Sequence, residues 1–209
     1  MMLTDADEAY HEIKRRIVTV EMPPGSVIQE AELMKTLSLG RTPIREALKR
    51  LQAENLVVVK PRRGMFVSSV VITDLTQIVE VRVELECLCA KLAARRVTPA
   101  QLDAMQQVLG EYETIDRRDL ERLFELDHRF HSLLAEAASN DFLAQELELF
   151  YNLSLRIWYL ALKHVRAEDV DVDSHCHIVA ALQARDMAQA EKVMRAHIEH
   201  FQRAIKRYL

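Results

Sequence analysis

Gly40-Arg41-Thr42-Pro43-Ile44-Arg45-Glu46-Ala47-Leu48-Lys49-Arg50-Leu51, followed shortly by Val57-Val58-Val59-Lys60-Pro61-Arg62-Arg63-Gly64-Met65-Phe66-Val67, decides the fold of the N-terminal part of this chain. Thr42 can cap a helix whose first residue is Pro43, where a missing N–H costs nothing. Ile44, Ala47, Leu48 and Leu51 then share one apolar face, and Arg41, Arg45, Lys49 and Arg50 fall largely on the others. Residues 57–60 and 65–67 read as two short strands. Pro61 to Gly64 turns between them with two arginines at its tip.

Outward from that core, Tyr10, Ile13, Ile17 and Val20 recur at helical spacing, which predicts a first helix over about residues 5 to 21, ended by Pro23-Pro24-Gly25. A short helix is expected from Glu30 to Leu37. Three helices followed by a basic-tipped hairpin form a winged helix-turn-helix, whose second motif helix can enter the major groove while the wing reaches an adjacent groove or phosphates. The expected DNA contacts are Arg41, Thr42, Arg45 and Lys49 on the recognition helix, and Arg62, Arg63 and Gly64 on the wing.

The overall charge of −4 argues by itself against a nucleic-acid binder, but its distribution reverses that reading. Residues 1–70 carry 11 Lys/Arg against 9 Asp/Glu, residues 71–209 carry 17 against 23, and residues 41–63 carry 7 against 2. A local basic patch, not the average, attracts phosphates. No apolar run approaches a membrane span, and the N-terminus lacks a hydrophobic signal region, so a cytoplasmic protein is expected. Cys87, Cys89 and Cys176 lie in helical patterns and read as reduced thiols.

From Thr73 onward no strand pattern appears. Six helices are expected, over about 73–96, 98–115, 119–138, 140–162, 172–184 and 186–208, with a charged loop from Lys163 to Asp171. Thr98-Pro99-Ala100-Gln101 has the form of a capping box. The fold class is therefore mainly α: residues 1–70 a winged helix-turn-helix with a small β-hairpin, and residues 71–209 an all-helical antiparallel bundle.

Polar residues interrupt the apolar stripes of that bundle. Asp127 and His131 lie one turn apart on an inward face, His175 is in line with Ile178, Val179 and Leu182, and His197 with Ala190, Val193, Met194 and Phe201. His175 precedes the turn at Asp186 by eleven residues and His197 follows it by eleven, which sets them level in an antiparallel pair. Burying so much polarity is costly without partners. Either the three imidazoles are satisfied separately, or the four groups converge on a divalent ion. Arg82 and Glu86, also at helical spacing on a core face, either pair with each other or free Arg82 to grip a carboxylate ligand by its planar fork.

The quoted residues resemble the GntR family. Its pattern of Arg-Thr-Pro-[Val/Ile]-Arg-Glu-Ala-Leu and a wing ending Arg-Gly-x-Phe-Val is matched by Arg41 to Leu48 and by Arg63 to Val67. The chain departs from it at Ser38 and Asn55, each usually Gly, and at Gly40, usually Ser. The C-terminal part resembles the FCD effector domain of the FadR-like branch, through Asp127-His128-Arg129-Phe130-His131, His175-Cys176-His177-Ile178, Asp186 and His197. The resemblance implies Asp127, His131, His175 and His197 as ligands of a divalent metal of the zinc, nickel or manganese class. Ser174 stands where the family usually has Glu.

The function expected is ligand-responsive transcription control, usually repression. A homodimer would bind operator double-stranded DNA, and a small organic acid, gripped by Arg82, would occupy the metal-containing pocket. A regulator that responds to the metal itself is the first rival. A metalloenzyme using the Asp/His set is the second, and no base or nucleophile beyond the ligands supports it, so no enzyme is expected.

Overall fold

The structure, a computed structural model, describes residues 3–70, 72–161 and 173–207. Its chain divides into two compact units, Met1–Val71 with Leu155–Leu160, and Ile72–Ser154 with Ala161–Leu209.

In the first unit, α1 (Asp5–Val18) opens on a capping box in which Thr4 accepts from the Asp7 backbone and Asp7 returns the bond to the Thr4 N–H. It ends three residues earlier than its periodicity predicts. The Thr19 hydroxyl and N–H both turn back to the Arg15 carbonyl, and Val20 adopts a left-handed φ of 63°, which no helix accommodates. Next come α2 (Glu30–Leu37) and α3 (Arg41–Ala53). Gly40, not Thr42, is the N-cap of α3, and Pro43 is its third residue. The proline fits there because the first four N–H groups of a helix have no intrahelical acceptor, and Gly40 has no side chain to offer one. Ala9, Ile13 and Ile17 of α1 pack against Ile44, Ala47, Leu48 and Leu51 of α3 in a closed core. Burial of each large aliphatic chain contributes about 1.5–3 kcal/mol.

Strands β1 (Val57–Lys60) and β2 (Gly64–Val67) pair antiparallel, with Val57 opposite Val67 and Lys60 opposite Gly64. The tip needs two left-handed residues, Arg62 (φ 61°) and Gly64 (φ 98°). Also within this unit, the buried Arg156 guanidinium donates to Ser68 Oγ at 2.7 Å. Desolvation with no carboxylate among its described partners pulls Arg156 down to about 10.

The second unit is helical throughout its described residues: α4 (Ile72–Arg96), α5 (Pro99–Thr114), α6 (Leu120–Ala138), α7 (Asp141–Ala161, entering the first unit at Leu155), α8 (Ser174–Gln183) and α9 (Met187–Ile205). Thr98 and Gln101 form the expected capping box, and Asp119 and Asp186 cap α6 and α9. Helix α8 begins at Ser174, and α9 ends at Ile205, short of the expected 208. The loop expected from Lys163 to Asp171 lies outside the described residues. Helix α4 packs against α6 and α9, and α8 against α5 and α9. Leu75, Ala90, Met105, Leu123, Phe130, Leu182 and Met194 meet in the core. Non-glycine residues also take left-handed conformations at Ser38, Asn55, Ser139 and Arg185. Among the described residues, no helix is long and apolar enough to cross a membrane.

Candidate metal centre and nucleic-acid interface

Helix α3 exposes Arg41, Arg45 and Lys49 four residues apart, with Thr42 beside Arg41, while its opposite face is buried. Arg62, Arg63 and Gly64 are exposed at the hairpin tip, beside Lys60, whose ammonium lies 4.6 Å over the Phe66 ring. Glu30, unremarked in sequence, bonds Arg45 Nε at 2.9 Å. Arg50, although exposed, turns toward α1 instead: it stacks 3.8 Å over Tyr10 and bonds Asp7 at 2.8 Å. Bonds from Thr4 and then Arg50 hold the Asp7 carboxyl down to about 2.

In the second unit Asp127 and His131 of α6, His175 of α8 and His197 of α9 bring one donor atom each within 4.8 Å of all the others. His131 Nε2 and His197 Nε2 are 3.3 Å apart, and His175 Nε2 is 3.3 Å from Asp127 Oδ1. The outer edges of three members are already engaged. His131 Nδ1 faces the Glu86 carboxylate at 3.2 Å, His197 Nδ1 meets Ser174 Oγ at 2.7 Å, and the Tyr151 hydroxyl donates to Asp127 Oδ2 at 2.9 Å. A carboxylate accepts, so His131 carries its neutral-form proton on Nδ1 and turns a lone pair inward.

His175 is the decisive residue. It is fully buried against the rings of Phe130 and Tyr112; neither nitrogen makes a well-aligned hydrogen bond, and Nε2 has the Asp127 carboxylate oxygen at 3.3 Å. A buried imidazole without an aligned hydrogen bond needs an explanation, and a cation on the inward side, shared with Asp127, answers for Nε2. Two nitrogens each about 2.05 Å from a tetrahedral ion lie about 3.3 Å apart. The His131–His197 and His175–Asp127 separations match that spacing and His131 Nε2 stands 3.9 Å from Asp127 Oδ1, so the set fits a metal with the ligands drawn in slightly.

The local field points the same way. Burial pushes the Asp127 carboxyl up, but the His131 and His175 imidazoles outweigh it and hold the group well below the usual carboxylate range. Glu86 is likewise pushed up by burial, yet His131 and Arg82 bring it down to about 2. Burial depresses His131, and Glu86 and Asp127 more than reverse this. Positive charge is favoured at the centre of the cluster.

A cavity of about 280 Å³ adjoins it, lined by His131, Glu86 and Tyr151 on the cluster side and by Glu136, Asp141 and Glu148 among others further out. Arg82 is not in that lining. It is 2% exposed, its Nε and Nη2 both bond Glu86 at 3.2 Å, and the rings of Tyr151 and Phe201 lie about 5 Å from its guanidinium. His128 pairs with Glu148 at 2.9 Å, and His177 is exposed. The parts of Glu30, Ser174 and Tyr151 were not foreseen from sequence. Only the oddity of Ser174 before His175 signalled any of them.

Comparison with known proteins agrees with this architecture. Residues 5–67 match the family described as "Bacterial regulatory proteins, gntR family", and residues 77–200 match the "FCD domain". The chain is 28% identical over 200 residues to the HTH-type transcriptional repressor RspR of Escherichia coli, covering 95% of this chain and 88% of that one. It is 29% identical over 208 residues to the HTH-type transcriptional repressor GlaR of the same organism, covering 95% and 94%. Its fold is similar to that of E. coli McbR/YncC, with a TM-score of 0.88 at 20% identity over 99% of each chain. Both sequence relatives are named as transcriptional repressors. With a helix-turn-helix head and a helical domain that both match along most of their length, the chain belongs to the GntR family of bacterial transcription regulators, in the branch that carries an FCD domain.

Proposed function

We propose that the protein is a homodimeric, ligand-responsive repressor whose residues 1–70 bind operator DNA and whose residues 71–209 hold a divalent metal and a small effector. The convergence of the buried His175, which has no well-aligned hydrogen bond, with three further donors carries the metal reading. Three imidazoles and one carboxylate suit zinc, nickel or manganese, and on a six-coordinate ion they leave up to two positions for a ligand. When bound, the ion would supply a fixed Lewis-acidic anchor for the carboxylate of an organic acid. Asp127, His131, His175 and His197 would hold it, and the adjoining cavity, whose outer wall carries Glu136, Asp141 and Glu148, has room for an uncharged or cationic remainder of a small molecule. Arg82, expected to grip the effector, supports this reading only at one remove, through Glu86.

On the DNA side Arg41, Thr42, Arg45 and Lys49 would meet the major groove, with Arg62, Arg63 and Gly64 at the wing. The names of the relatives favour repression. Effector binding would shift the population of DNA-competent conformers, which requires different affinities for the two states.

Elemental analysis of protein purified without chelator, paired with operator titration with and without chelator at fixed effector, tests the reading. One bound metal per chain, with an effector response that disappears on metal removal, is the expected result. Metal-free wild-type protein would return the histidines to a purely structural role. Operator affinity that follows the metal with no effector present would favour the direct metal sensor.

A further inference from the structure

Arg82 and Glu86 form a buried ion pair on α4, each 2% exposed, and the metal ligands come from α6, α8 and α9. A buried pair of this kind is weak evidence for stability, because removing two charges from water costs about as much as their attraction returns. Its placement supplies another reason. Glu86 reaches across to α6 and sets its two oxygens 3.2 and 3.3 Å from His131 Nδ1. Arg82 bonds Oε1 through two nitrogens, and aromatic rings lie close to its guanidinium.

We infer that Glu86 is a positioning residue of the metal centre: it fixes the His131 tautomer and ring angle through Nδ1, with Arg82 as its buried counter-charge. A carboxylate behind a metal-binding imidazole does this generally, and its loss commonly weakens metal affinity about 10- to 100-fold. Ser174 stands in the same relation to His197 but is neutral. The two ring supports are therefore unequal. This assignment rests on the metal reading above, and it gives Arg82 a task that does not involve touching the effector.

The test is zinc affinity of the full-length chain, measured by competition with a chromophoric chelator, beside far-ultraviolet circular dichroism and melting temperature. Glu86→Gln keeps an acceptor but loses the charge, and is expected to weaken zinc about 10-fold. It also strands Arg82, so the double variant Arg82→Met with Glu86→Leu removes both charges and guards against a folding defect. That variant is expected to fold and to bind zinc about 10- to 100-fold more weakly. A folded double variant with wild-type zinc affinity overturns the assignment and leaves the metal centre standing. Wild-type protein that binds no zinc, nickel or manganese overturns both.

Discussion

Arg45 is more than half exposed, so its bond to Glu30 adds at most about 1 kcal/mol to stability. Its consequence is orientation, since a guanidinium steadied at Nε presents its terminal amino groups in a defined direction. Arg45→Ala is expected to cost about 1–3 kcal/mol at one operator position and to relax discrimination there. Arg62→Ala, at the wing tip, should weaken all sequences evenly and reduce the log–log salt slope by about one. Gel-shift titrations against operators altered one base pair at a time, repeated across salt concentrations, check both. Equal losses at every position for Arg45→Ala would remove it from base readout. At this scale the sequence exposed the residues that break a pattern: Asp127, His131, His175 and His197 interrupt apolar stripes. Glu30 and Tyr151 interrupt nothing. They acquire roles only when folding sets them beside Arg45 and Asp127, residues 15 and 24 positions away.

Elements were legible where their ends are written in side chains. Thr98 and Gln101 satisfy each other's backbone donors at the start of α5, and that reciprocity can be seen four letters at a time. Thr98→Ala is therefore expected to cost about 1 kcal/mol, within a range of about 0.5–2, while leaving metal content unchanged. Urea denaturation followed by circular dichroism, with elemental analysis alongside, measures both. The start of α3 was misread for the converse reason. Thr42 has the right chemistry for a cap, but Gly40 takes the cap conformation with no side-chain bond at all. The end of α1 was misread because a valine in a left-handed turn leaves no sequence mark.

At the scale of the molecule, charge segregation was visible in the sequence: a basic recognition segment precedes an acidic helical remainder. The grouping of Leu155–Leu160 with the first unit was not, because α7 reads as one uninterrupted amphipathic helix. A homodimer on a palindromic operator should give two chains per DNA duplex in sedimentation equilibrium, with affinity falling steeply once the protein is diluted below its dimer dissociation constant. One chain per operator would exclude the dimer. The left-handed turns at Val20, Ser38, Asn55, Ser139 and Arg185 have a different consequence. Each keeps a Cβ where glycine would relieve backbone crowding, and Val20, branched at Cβ, is the most strained. None of the five belongs to the metal cluster or to the recognition face of α3. Thermal hardening of this regulator therefore has open ground in these turns, where a lineage moving to a hotter habitat could gain melting temperature without touching either proposed site.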